Sequence, residues 1–73
     1  MKFYIFSHTP FHHLQVCQIL ANSESEIIED NINGLEKLPY AKLLVEAHED
    51  LFDLMDGLPG ISIQDFNQDY EDI

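Results

Sequence analysis

Charge sets the first limit on what this chain can become. Fourteen aspartates and glutamates stand against three lysines and no arginine, a formal net charge of −11. The imbalance is uneven, because nine acidic residues follow Lys42 and no basic one does. Self-repulsion on this scale opposes any compact state. A fold therefore needs enough apolar surface to hold the carboxylates apart on its outside, and 45% of the 73 residues are hydrophobic. That suffices for one small domain, in which apolar burial narrowly exceeds an ordering entropy of roughly 1.5 kcal/mol per residue. Apolar positions this numerous and periodic argue against a disordered acidic chain. The negative sign excludes direct nucleic-acid or anionic-membrane binding.

Cys17 is the only cysteine. It allows no disulfide within one chain, which points to a reducing cytoplasm. The opening MKFYIFSHTPF has one lysine, and its apolar run is far below the roughly 18 residues of a membrane span. It reaches Ser7-His8 too soon for a signal peptide.

Residues 2–7, KFYIFS, are aromatic and β-branched and predict a buried strand. Thr9-Pro10 predicts a helix start, with Thr9 as N-cap and Pro10 at the first helical position. The helix runs from Pro10 to about Ala21 and ends at Asn22. It is apolar almost all round, with Gln15 and Gln18 as its polar strip. Ser23-Glu24-Ser25-Glu26 matches a capping box, which predicts a short helix to about Asn33, closed by Gly34. A strand through Glu26-Ile27-Ile28 is the alternative. Leu38-Pro39 opens a longer helix to about Asp56. On a 100° wheel Leu43, Leu44, Ala47, Leu51, Leu54 and Met55 share its apolar side. Gly57-Leu58-Pro59-Gly60 is a turn, and ISIQDF alternates as a half-buried strand. The expected fold is an α/β (α+β) mini-domain in the order β-α-α-α-β, its two strands able to pair and covered by helices on one face. Residues 1–66 form the domain, and 67–73 are an acidic, frayed tail. Because two strands make a weak sheet, a homodimer that extends the sheet or core is open.

On the expected third helix, Glu46, Glu49, Asp50, Asp53 and Asp56 occupy the solvent side with no lysine among them. They recur once per turn, every 5–6 Å or so. Phosphates on a DNA strand carry one charge per roughly 3.4 Å of axis rise, a loose match of the right order. Glu46/Asp50 and Glu49/Asp53 are like-charge pairs that cost the helix a few tenths of a kcal/mol each. Glu26, Glu29 and Asp30 add a second acidic patch on the expected second helix. In size, charge, lack of arginine and compact α/β reading the chain resembles the small acidic inhibitors of bacteriophages and mobile elements, including DNA mimics that block restriction enzymes and many anti-CRISPR proteins. That resemblance implies a non-enzymatic protein in the cytoplasm of a bacterial host. Its partner would be a basic nucleic-acid-binding protein or ribonucleoprotein complex, held through these eight carboxylates without a cofactor.

FSHTPFHHLQVC sets His8, His13 and Cys17 near one helix start. These donors would suit zinc, although their spacing matches no established zinc pattern, and a small buried thiol is the ordinary reading of Cys17. Ser7-His8-Thr9-Pro10-Phe11-His12 and Leu14 after a strand are similar to the N-terminus of bacterial sialyltransferases and related capsule glycosyltransferases. Over about 20 residues that similarity implies an opening βα unit of a Rossmann-like half, with structural roles for Thr9 and Pro10 and without the sugar-nucleotide half that carries catalysis. A non-catalytic glycosyltransferase fragment and an apolar-patch interaction module are the alternative functions.

Overall fold

Alternation in the first strand organises the molecule. A computed structural model describes residues 1–33 and 39–66. In β1 (Lys2–Ser7), Phe3, Ile5 and Ser7 are buried on one face, while Tyr4 and Phe6 sit half-buried on the other. The chain continues through α1 (Pro10–Ala21), β2 (Ser25–Ile32), β3 (Ala41–Ala47), α2 (Glu49–Asp56) and β4 (Ile61–Asp65). The four strands form one sheet in the order β2-β3-β1-β4, and each neighbouring pair is antiparallel. β3 lies between β1 and β2, and β1 lies between β3 and β4. The two βαβ units are thus interlocked, the split βαβ arrangement.

Both helices cover the Phe3–Ile5 face. Val16 and Leu20 of α1 and Leu51 and Met55 of α2 join Phe3, Ile5, Leu43, Val45, Ala47 and Ile61 in one apolar cluster. Phe52 adds an edge-on contact to the Phe3 ring at 5.2 Å between centroids. The α+β class, the strands at residues 2–7 and 61–65 and the helix at Pro10–Ala21 are as the sequence predicts, and the pairing that the sequence leaves open is antiparallel between β1 and β4. Thr9 caps α1 by accepting the His12 N–H at 3.1 Å, with Pro10 in the first turn. Asn22 is the C-cap.

The three-helix order is not what forms: there are two helices and four strands among the described residues. The expected second helix is β2. Ser23 does not cap it; its hydroxyl donates back to the Leu20 carbonyl at 3.2 Å, and Ser25 donates to the same oxygen at 2.9 Å. Both serines therefore close α1. The β-branched run that follows pairs with β3 across seven register positions, with a bulge between Ile27 and Glu29.

The expected third helix divides at His48. Residues 41–47 are buried or half-buried at every position because they form a central strand with a neighbour on each side. Leu44, placed with Leu43 on a helical wheel, lies on the opposite sheet face and is still only 7% exposed. Leu54 is not core at all, being 60% exposed. A Leu-Leu-Val run fits a helix stripe and a buried strand equally well, and the sheet decides between them. The Gly34 helix end and the 67–73 tail lie outside the described residues. No helix among the described residues is long and apolar enough to cross a membrane.

Ile5 is fully buried where β1 meets β3 and β4. Ile5→Ala is expected to cost about 2–5 kcal/mol, against a total stability of roughly 4–11 kcal/mol for a chain of this size. Urea unfolding followed by circular dichroism measures the loss. A cost under about 1 kcal/mol would mean that β1 is not the centre of the core.

Candidate functional site

The carboxylates predicted to act together are distributed over three elements, α2, β2 and β3, and over both faces of the sheet. α2 begins because the His48 side chain accepts the Asp50 N–H at 3.1 Å. Glu49 and Asp50 then occupy the first turn, where the helix dipole favours negative charge. Leu51 and Met55 face the core, which leaves Glu49, Asp50, Asp53 and Asp56 exposed on the outer face. Eight residues give a helix about 12 Å long. Asp56 sits in the last turn, where the dipole disfavours it.

Glu46 leaves this group. It belongs to β3, in register between Lys2 of β1 and Glu26 of β2, and pairs with the Met1 ammonium at 2.6 Å. The five carboxylates therefore do not line one rod, because the helix that was to carry them starts after Glu46. Glu26, Glu29 and Asp30 are on edge strand β2 instead of a helix, and all three are exposed. By register Glu26 and Glu29 lie on the sheet face away from the helices and Asp30 on the helix side. Glu26 and Glu46 stand directly opposite each other, a like-charge cross-strand pair that costs stability. A cleft lined by Ser23, Glu24, His48, Asp50, Leu51 and Leu54 lies between the turn that precedes β2 and the start of α2. Asp50 Oδ2 lies 3.4 Å from His48 Nδ1 there.

Neither described lysine forms an ion pair with these carboxylates, although both lie on the sheet face that Glu26 and Glu29 share. Lys42 Nζ lies 4.5 Å from the Tyr4 ring centroid and Lys2 Nζ lies 5.9 Å from that of Phe66, both on the sheet face without helices. Tyr4 stands 6.2 Å from Phe6 and 5.8 Å from Phe66 between ring centroids. Reading β1 only as a buried strand misses this aromatic patch, although Tyr4 and Phe6 alternate with Phe3 and Ile5 in the sequence. Apart from Met1–Glu46 and His48–Asp50, Glu24, Glu26, Glu29, Asp30, Glu49, Asp53 and Asp56 make no ion pair with any described residue.

The histidine end is built by the same βα turn. The Thr9 hydroxyl, already accepting the His12 N–H, lies 2.7 Å from His12 Nδ1 and can donate its own proton there. The His12 ring packs on the Gly60 backbone so closely that a Cβ at Gly60 would collide with three ring atoms. Gly60 is also the one described residue at positive φ, +74°. His8 turns away to Ser62 Oγ at 3.0 Å. His13 Nε2 reaches Cys17 Sγ at 3.6 Å, and its ring rests edge-on near Tyr40 at 6.0 Å. His8, His13 and Cys17 thus do not converge, and no three His, Cys, Asp or Glu among the described residues are placed to hold a metal ion. Burial, with the Asp30 carboxylate as a second cause, raises the Cys17 pKa above the ordinary thiol value. Thr9 and Pro10 take the structural places expected of them, and the sheet they lead into is antiparallel.

No family model, curated protein or solved structure matches this chain.

Gly60→Ala is expected to lower stability by about 1–3 kcal/mol, since positive φ and the His12 ring both resist a side chain. Thr9→Ala should cost about 1 kcal/mol through the lost cap. Urea titrations of both variants would refute the packed-turn geometry if Gly60→Ala proved neutral. For Cys17 the raised pKa means that the folded state holds the proton more tightly. Its contribution to stability is full below the ordinary thiol pKa and is lost as pH rises through the folded value. Iodoacetamide at about pH 8.5 should accordingly alkylate Cys17 more slowly than a model thiol peptide, with mass spectrometry as the readout.

Proposed function

We propose that this protein is a small acidic inhibitor acting in a bacterial cytoplasm. It binds a basic nucleic-acid-handling protein or ribonucleoprotein complex of the CRISPR or restriction type. The observation that carries this reading is the set of exposed carboxylates on α2 and β2 with which no described lysine forms an ion pair, while the two described lysines sit over aromatic rings. A surface serving only solubility gains from interleaved charge of both signs. Here α2 instead carries a like-charge i,i+4 pair, Glu49/Asp53, and an acidic residue at its C-terminal turn.

The mechanism is competition. Neighbouring carboxylates on the outer face of α2 lie about 5–6 Å apart, the order of phosphate spacing along a nucleic-acid strand. Glu24 continues the charge across the cleft from Asp50 towards β2. A Lys/Arg groove that binds a phosphate backbone would accept this surface, and the negative field would speed the encounter. At about 0.5 M salt the screening length falls below about 5 Å, so the complex should dissociate.

Capture of nucleic-acid-binding complexes by the tagged chain from nuclease-treated bacterial lysate, washed at about 0.1 M and then about 0.5 M salt, tests the idea. The expected result is a complex that elutes with salt and is displaced by added DNA or RNA. Asp50→Lys combined with Asp53→Lys should weaken its capture by about tenfold or more while changing stability by under about 0.5 kcal/mol. Undiminished capture by that variant would overturn the acidic-face reading. A partner that survives the high-salt wash would point to an apolar interface instead.

A further inference from the structure

β2 ends the sheet, with β3 as its one neighbour, so among the described residues nothing pairs with its outer edge. Every residue from Glu26 to Ile32 is exposed. Three isoleucines lie on this edge, with Ile27 46%, Ile28 43% and Ile32 50% exposed. By register Ile27 and Ile32 are on the helix side, with Asp30 between them, and Glu26 and Glu29 are on the other side. An eight-residue strand rich in β-branched residues with a free edge is a template for a further strand.

Charge determines which strand. A second copy pairing here would bring Glu26, Glu29 and Asp30 close to their own counterparts across an interstrand spacing of about 4.8 Å. Like charges directly opposite each other on neighbouring strands are destabilising. The bulge between Ile27 and Glu29 adds a local kink against flat self-pairing. A basic segment meets no such obstacle. Its Lys or Arg side chains on one face would lie beside Glu26 and Glu29. On the other face apolar residues would cover Ile27 and Ile32, with a basic residue between them beside Asp30.

We propose that β2 is a docking edge, and that the partner contributes an extended segment of alternating basic and apolar residues as a fifth strand of the sheet. This rests on the reading that the partner is basic, and it assigns the contact to backbone pairing at β2 as well as to charge. Main-chain hydrogen bonds would supply affinity and the alternating side chains specificity.

The test titrates the full 15N-labelled chain with a synthetic peptide of about ten alternating lysine and valine residues, a length that matches a long strand. A peptide of equal charge, with proline at every third position, is the control that cannot pair. The expected result is saturable binding of the first peptide that slows amide exchange at outward-facing β2 positions by about tenfold or more. Glu26→Lys with Glu29→Lys should weaken binding by about tenfold, a larger loss than Asp50→Lys with Asp53→Lys gives for the same change of charge.

Equal binding of the proline peptide, or loss of binding through the α2 variant with β2 exchange unchanged, would overturn strand addition and leave the acidic-surface reading standing. Protection of β2 that grows with protein concentration and no peptide would show a second copy on the edge, and would overturn the proposal. Absence of saturable binding would overturn it as well. Salt-eluted capture of a nucleic-acid-binding complex would then decide the functional reading on its own.

Discussion

The helices, the sheet edges and the acidic surface all depend on the burial of Phe3 and Ile5 against β3, β4 and the two helices. A chain with this excess of negative charge has no electrostatic reason to collapse. The opposing force is apolar, at about 25 cal/mol per Å² removed from water, and it is concentrated where β1 pairs on both sides. Once β1 is central, its flanking helix has to lie on the Phe3–Ile5 face. β3 is then drawn in beside it, and the strand that pairs β3 from the far side becomes an edge. The acidic residues are carried to wherever this arrangement leaves surface.

That arrangement leaves the carboxylates of α2 and β2 without a lysine as ion-pair partner among the described residues. The two described lysines lie on the open sheet face with Tyr4, Phe6 and Phe66. Among the described residues the carboxylates of α2 and β2 have an ion-pair partner only in His48, beside Asp50, while Glu46 of β3 holds the Met1 ammonium. Cation–π contacts of this kind are worth about 0.5–1 kcal/mol when exposed, a gain that a surface ion pair would match. Local stability therefore does not require the lysines to sit where they do. Their placement leaves the carboxylates of α2 without a lysine partner among the described residues.

The βα turn from Ser7 to Pro10 holds the sheet and helices in register at the other end. Its Thr9 cap, the His12 ring on Gly60 and the His8 N–H to Gly60 carbonyl bond at 3.1 Å tie the start of α1 to the start of β4. This close packing accounts for the histidines without assigning them chemistry. Two were suggestive as ligands because they sit near a cysteine in sequence, but His8 and His13 turn to different partners.

Local signals were enough for the elements that local chemistry decides. Thr9-Pro10 marks α1 because a cap and a fixed φ act within one turn, and the alternation in KFYIFS and ISIQDF marks two strands because the pleat has a period of two. The exposure of Asp50, Asp53 and Asp56 also follows from charge alone. β2 and β3 were not legible in this way. Ser23 and Glu26 satisfy a capping box, and Leu43-Leu44-Val45 satisfies a helical stripe, yet both segments are strands because each supplies the other with hydrogen-bonding partners across seven positions. That gain is non-local, so neither segment taken alone decides between helix and strand, although Glu26-Ile27-Ile28 offered the strand as an alternative. Tertiary structure therefore decided where Glu46 goes, why Glu26 and Glu29 line an edge, and which acidic residues share a surface. The sequence determined that there would be such a surface, since carboxylates this numerous cannot be buried unpaired.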